Sequence, residues 1–229
     1  MIGTQSNPII IKSNFNGSLK KYRNLKEFKN EYNFGNGLLV MNAKGESIIK
    51  HTIFKNIGAP EIESGVGLMG AINFYRSNVI IENSKFIENL RGDDFLNIIS
   101  SNFSLKNITM ENIFLDAIDF DFSNGRIDNI IIEDAGNDGL DFSGSNVVAK
   151  NILIKNSGDK GLSVGEQSIV DIQDLKLINT NIGIASKDLS KISIRDVSIS
   201  DSKLAIAAYQ KKPEYGPGFV SITNINLKN

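Results

Sequence analysis

One six-residue frame returns throughout this chain: an Asn, Asp or His, then alternating apolar residues, then Asn or Asp. The copies are His51–Asn56, Asn107–Asn112, Asn129–Asp134, Asn151–Asn156, Asp174–Asn179, Asp196–Asp201 and Asn224–Asn229, with Asn83–Asn89 an eighth copy carrying one extra residue. Successive anchors at 83, 107, 129, 151, 174 and 196 lie 24, 22, 22, 23 and 22 residues apart. Alternation of apolar residues is strand periodicity, not helical periodicity. Strands this short bury an apolar face only by stacking coil on coil. The expected fold is therefore all-β: a right-handed, single-stranded parallel β-helix with coils of about 22 residues. A leucine-rich repeat would need helix-forming runs between its strands, and these coils have none.

Aligning the copies predicts three inward columns. One is Ile81, Leu105, Ile127, Ala149, Ile172, Ile194 and Ile222; a second is Phe86, Met110, Ile132, Ile154, Leu177, Ile199 and Leu227; a third is Leu96, Ile118, Leu140, Leu162, Ile184 and Ile206. The anchors Asn83, Asn107, Asn129 and Asn151 fall where the chain turns between strands. Asn tolerates such backbone conformations and can hydrogen-bond its counterpart one coil away, so these residues read as a structural ladder. His51, the single histidine, falls in the same column.

The ends depart from the repeat. Leu19, Tyr22, Leu25, Phe28 and Tyr32 recur at helical spacing among lysines, which predicts an amphipathic helix covering the first coil. The expected organisation is an N-terminal strand and capping helix over residues 1–36, continuous as one domain with a β-helix over 37–229. No cap is visible after the last repeat, so that end is a candidate contact surface. Two loops interrupt the coils, Gly58–Gly67 and Tyr209–Gly218. Loops on a rigid scaffold often carry binding residues.

A formal net charge of −1 gives no electrostatic reason to expect nucleic acid as a partner. No apolar run approaches the ~20 residues of a membrane-spanning helix, and the first residues do not read as a signal peptide. The absence of cysteine removes disulfides and thiolate metal sites.

The chemistry-bearing feature lies on the third strand of the middle coils. Gly92-Asp93-Asp94-Phe-Leu-Asn97 aligns with Asp116-Ala-Ile-Asp119-Phe-Asp121, then Asn137-Asp138-Gly-Leu-Asp141-Phe-Ser143, then Gly158-Asp159-Lys160-Gly-Leu-Ser163. Two polar columns result: Asp94, Asp116, Asp138 and Lys160 at the entry to the strand, and Asn97, Asp119, Asp141 and Ser163 facing outward. Asp121 and Ser143 stand one step further, while Phe120 and Phe142 alternate inward. The next two coils carry Ile182-Gly-Ile-Ala185 and Leu204-Ala-Ile-Ala207 instead. Carboxylates stacked about 4.8 Å apart repel one another. Three things offset that cost: a hard cation such as Ca²⁺, a neighbouring lysine such as Lys160, or a carboxyl that keeps its proton. Capping of turns by the aspartates is the alternative. It suits Asp138 in Asn-Asp-Gly better than it suits Asp119, Asp121 and Asp141, because Asp is disfavoured within strands.

Over residues 37–229 the coil pattern resembles the pectin-lyase-like right-handed β-helix superfamily. The runs Asp116–Asp121, Asn137–Asp141 and Gly158–Ser163 are similar to uncharacterised bacterial β-helix modules found with CotH-type proteins. That resemblance implies a module of a larger surface protein and brings no settled activity. Asn137-Asp138-Gly139-Leu140-Asp141 also resembles the aspartate cluster with which family-nine pectate lyases hold Ca²⁺. The carry-over implies Asp116, Asp119, Asp138 and Asp141 as metal ligands, with Asp121 beside them, and Lys160 as the base of a β-elimination. Gly92-Asp93-Asp94 resembles the paired aspartates of polygalacturonases, which makes Asp94 a candidate catalytic residue; the other motifs of that family are absent.

Two function classes follow. One is a carbohydrate-related module that binds or cleaves an acidic polysaccharide, with Ca²⁺ on the acidic strip and Asn97, Ser163, Tyr209 and Tyr215 as substrate contacts. The other is a non-catalytic stalk or adhesion module of a larger protein. Catalysis is left open between them. An extracellular or cell-surface setting suits both. An ice-binding solenoid would need regular rows of Thr, which the chain lacks.

Overall fold

A computed structural model describes residues 1–13, 37–59 and 68–228. The helix expected over Leu19–Tyr32 lies outside the described residues, as does most of the Gly58–Gly67 loop.

The described residues form seventeen strands: β1 (Ile9–Lys12), β2 (Leu38–Met41), β3 (Ser47–Lys50), β4 (Thr52–Lys55), β5 (Ile72–Tyr75), β6 (Val79–Ile87), β7 (Asp94–Ile99), β8 (Asn102–Ile113), β9 (Asp116–Asp121), β10 (Asn124–Ala135), β11 (Leu140–Ser143), β12 (Asn146–Gly165), β13 (Ile169–Lys187), β14 (Lys191–Ser200), β15 (Leu204–Tyr209), β16 (Phe219–Ile222) and β17 (Ile225–Lys228). They belong to one parallel, hydrogen-bonded system that winds as a solenoid. Each residue pairs with its counterpart one coil away, as in Ile127↔Ala149 and Ala149↔Ile172.

The bends come from the anchors. His51, Asn83, Asn107, Asn129, Asn151, Asp174 and Asp196 all have positive φ, from 49° to 63°. A second bend, five residues on, has the same conformation at Asn56, Glu88, Asn112, Asp134, Asn156, Asn179 and Asp201. Asn and Asp enter this left-handed region at the lowest cost of any residue with a side chain. Their amides then link coils: Asn107 Nδ2 donates to Asn83 Oδ1 at 2.8 Å and Asn129 Nδ2 to Asn107 Oδ1 at 2.9 Å. Asn151 continues the column in the same backbone conformation.

The three expected inward columns are the core. Residues from Ile81 to Ile194 in the first, Phe86 to Ile199 in the second and Leu96 to Ile184 in the third are buried. Aromatic rings stack along the axis beside the third: Phe103 on Phe120 at 4.5 Å between centroids, and Phe120 on Phe142 at 4.9 Å and 6°. One further ladder is internal and polar. The backbone N–H of Ser101 donates to Ser123 Oγ, that of Ser123 to Ser145 Oγ and that of Ser145 to Ser168 Oγ. These serines are buried in the corner after the third strand, where they satisfy main-chain donors that the turn leaves unpaired.

On the last described coil Leu204, Phe219, Ile225 and Leu227 are exposed. No helix among the described residues is long and apolar enough to cross a membrane.

Candidate functional site

The third face of the solenoid is formed by β5, β7, β9, β11, the ends of β12 and β13, and β15. Its register brings the acidic columns into contact as the repeat implies: Asp94 pairs with Asp116, and Asn97 with Asp119. Asp119 pairs with Asp141 and Asp121 with Ser143. Asp141 pairs with Ser163. The outward column therefore reads Asn73, Asn97, Asp119, Asp141, Ser163, Ala185 and Ala207.

The entry column is partly structural. Asp116 Oδ1 accepts the backbone N–H of Asp138 at 2.7 Å and the Asn137 amide at 2.6 Å. Asp138 Oδ1 accepts the backbone N–H of Lys160 at 2.8 Å. Each of these aspartates spends one oxygen on the main chain of the next coil. Asp94 is buried and accepts from Asn97 Nδ2 at 2.8 Å.

Three carboxylates converge. Asp116, Asp138 and Asp141 each place an oxygen within 4.8 Å of the other two. Oxygens bound at 2.3–2.6 Å to one Ca²⁺ lie at most about 5 Å apart, so this spacing suits a shared hard cation. Two further observations fit that donor set: Asp141 Oδ1 and Asp119 Oδ1 are both buried without a hydrogen-bond partner. Asp121 stands one outward step from this group, beside Ser143.

Without a cation Asp94, Asp116, Asp119, Asp121 and Asp138 resist ionisation. Burial, reinforced by Asp121, Asp94, Asp141 and Asp116, pushes Asp119 up to about 10. Burial and the charges of Asp116 and Asp93 raise Asp94 to about 8, against the Asn97 hydrogen bond. Burial raises Asp116 to about 7, and burial with Asp141 and Glu166 raises Asp121 to about 6. Asp138 is raised by burial too, in spite of Lys160.

Lys160 ends the column as a cation. Its ammonium lies 3.4 Å from both Asp138 oxygens and donates to Asp159. Burial disfavours its charge, but the Asp159 hydrogen bond and the Asp138 charge outweigh burial and hold its pKa above the usual lysine value. A second cation was not foreseen. Lys187 follows the bland Ile182–Ala185 run, yet its side chain turns back across Gly165. Its ammonium lies 2.8 Å from Ser163 Oγ and 3.9 Å from Asp141 Oδ1, and the residue is only 5% exposed. Ser163 is thus buried beneath a lysine. The available signal was the column Ser143, Gly165, Lys187, in which a glycine leaves room for a long neighbour.

The loop after β15 reaches this face. Asp188 Oδ1 accepts the backbone N–H groups of Lys211 and Lys212 at 2.7 and 2.8 Å. Lys212 pairs with Glu166 at 2.5 Å, and Glu166 accepts the Ser143 hydroxyl at 2.7 Å. Tyr209 pairs in register with Lys187 and is close enough to act electrostatically on Lys160. Tyr215 is half-buried within the loop.

Residues 70–216 match the family described as right handed beta helix region. That span is more than half of the chain, which belongs to this family. No curated protein matches it. Among solved structures it is similar to the catalytic unit of a thermostable GH87 α-1,3-glucanase from Streptomyces thermodiastaticus strain HF3-3, at 10% identity and a TM-score of 0.42, covering 80% of this chain and 47% of that one. It is also similar to a GH87 α-1,3-glucanase catalytic domain in complex with nigerose, at 14% identity and a TM-score of 0.37, covering 83% and 53%. The chain spans about half the length of these structures, and the likeness is one of fold.

Proposed function

We propose that this chain is a carbohydrate-binding β-helix module whose acidic strip takes one Ca²⁺ and uses it to hold an acidic polysaccharide. The convergence of Asp116, Asp138 and Asp141, next to a buried Asp119 oxygen that accepts no hydrogen bond, carries the reading. A bound cation offsets the burial and mutual repulsion that raise Asp116, Asp119 and Asp138 above the usual carboxyl range, and it leaves coordination positions for a carboxylate of the polymer. The Tyr209–Tyr215 loop borders the strip and supplies polar and aromatic contacts, whereas Asn97, expected as a substrate contact, is buried with its amide on Asp94. An extracellular or surface setting, where such polymers occur, suits this role.

Affinity electrophoresis in gels containing polygalacturonate tests it. Migration should be retarded with Ca²⁺, released by EDTA, and unaffected by Ca²⁺ in Asp138→Asn. Equal mobility in all conditions would leave the stalk reading standing.

The stacking of Asp94 on Asp116 and of Asn97 on Asp119, with Asp121 on the same strand, supports a second, catalytic reading. A protonated carboxyl beside an ionised one is the pairing that glycoside hydrolysis requires. Asp94, Asp119 and Asp121, all raised by burial and by one another's charge, would supply that pair. Elimination by Lys160 has less support, because a base must be neutral and both Asp138 and Asp159 favour its ammonium. New reducing ends without an unsaturated product would mark hydrolysis; an unsaturated product would mark elimination.

A further inference from the structure

The turn after the third strand is a column of its own. Arg76, Ser100, Phe122, Gly144, Glu166 and Asp188 occupy it, and all have positive φ, from 47° to 60°. That conformation favours Gly, Asn, Asp and small polar residues and is costly for a bulky side chain. Phe122 is the one aromatic among them, at φ 50°.

Its ring is not there for the core. Phe122 is 64% exposed, whereas its neighbour Phe120 is completely buried. A single exposed apolar residue is ordinary on a protein surface. This one differs because it combines an unfavourable backbone conformation with the loss of burial, so neither local propensity nor the core selects it. The next coil makes room for the ring. A Cβ on Gly144 would meet Phe122 Cδ1 at 2.6 Å and Cε1 at 2.8 Å. The ring therefore lies against the Gly144 backbone, with much of its surface left to solvent.

Its surroundings are polar and belong to the edge of the acidic strip. Asp121 precedes it, and Ser143, paired in register with Asp121, precedes Gly144. Ser143 donates to Glu166, which Lys212 also holds. An exposed aromatic ring, with a hydroxyl one coil on at Ser143 and a carboxylate–ammonium pair two coils on at Glu166 and Lys212, suits one kind of ligand. A pyranose offers an apolar C–H face to the ring and equatorial hydroxyls to the polar groups around it.

We propose that Phe122 is the stacking platform of a sugar subsite at the outer edge of the strip, with Ser143 and Glu166 beside it as hydroxyl partners. The position of this subsite rests on reading the strip as a glycan site. Recognition of a pyranose face does not require the cation.

The test uses the full chain with Phe122→Asn and Phe122→Tyr, and two probes, a hexamer of galacturonate and a hexamer of glucose. Asn suits the left-handed turn and removes the ring; Tyr keeps the ring. Phe122→Asn should weaken binding of the retained hexamer about tenfold, corresponding to ~1.4 kcal/mol, and Phe122→Tyr should bind within about twofold of the parent. Ca²⁺ affinity should not change in either variant. The melting temperature of Phe122→Asn should equal or exceed that of the parent, because the turn is relieved and no core contact is lost. Hexamer binding insensitive to Phe122→Asn would overturn the platform and leave the Ca²⁺-dependent strip intact. A melting temperature lowered by several degrees would make Phe122 a structural residue and overturn it too. Ring-dependent binding of glucose hexamer with no Ca²⁺ dependence would uphold the platform and sink the cation reading. No binding of either hexamer by the parent would overturn both.

Discussion

Lys187 reaches back past Gly165 on the neighbouring coil to set its ammonium 3.9 Å from the Asp141 carboxylate, two coils away, and 2.8 Å from Ser163 Oγ. The strip thus carries its own cation beside the three converging aspartates. A lysine in this position competes electrostatically with any metal ion held through Asp141. Lys187→Met keeps much of the volume and removes the charge. Ca²⁺ affinity, measured by titration calorimetry, should rise about tenfold in this variant, a modest share of the Coulomb repulsion between two such charges at an effective dielectric near 20.

The raised carboxyl pKa values fix how stability depends on pH. In the unfolded chain these aspartates titrate near 3.9. In the folded, cation-free protein Asp121, Asp116, Asp94 and Asp119 are pushed to about 6, 7, 8 and 10. The native state therefore holds protons that the unfolded state has released. The stability they contribute is fully present below the unfolded pKa and is lost as pH rises through the folded values. In EDTA the melting temperature should fall between pH 5 and pH 9, by roughly 5 °C or more for a chain of this size. Saturating Ca²⁺ should flatten or reverse that slope, because it stabilises the ionised form. Differential scanning fluorimetry across that range reads both curves.

Asn107 accepts from Asn129 and donates to Asn83 while holding φ at 54°. Asn107→Ala loses both side-chain bonds and places a residue without an amide in a left-handed turn. The cost should be about 2 kcal/mol, measured by urea denaturation. Asn107→Gly, which restores the backbone freedom, should recover part of it.

The repeat made the architecture legible because each coil is read against its neighbours. A register error of one residue would turn every inward side chain outward, and the columns through Ile127, Ile132 and Leu140 left no alternative. The same alignment placed Asp94, Asp116, Asp119, Asp138 and Asp141 on one face. What it left out depends on side-chain reach. Lys187 belongs to a coil whose outward positions look bland, and only the gap at Gly165 lets it act two coils away. Glu166 and Phe122 lie in a turn column, not on the strand face, so a reading centred on strands passed over them. The repeat alignment does not place the Tyr209–Gly218 loop relative to the strip. Two main-chain bonds to the buried Asp188 carboxylate, together with the Lys212–Glu166 pair, bring it to the edge of the site. The buried serines at 101, 123, 145, 168 and 190 keep the coil period, but their polarity disguises an inward position.

The most direct test of the cation site is calorimetric titration of Ca²⁺ at pH 7, repeated in two buffers of different ionisation enthalpy. Binding at Asp116, Asp138 and Asp141 must expel protons from the raised carboxyls around it. One Ca²⁺ should bind with net proton release, and both heat and release should vanish in Asp138→Asn and in Asp141→Asn. Absence of binding by the parent protein, or binding that releases no protons and survives both substitutions, would contradict a cation site on the acidic strip.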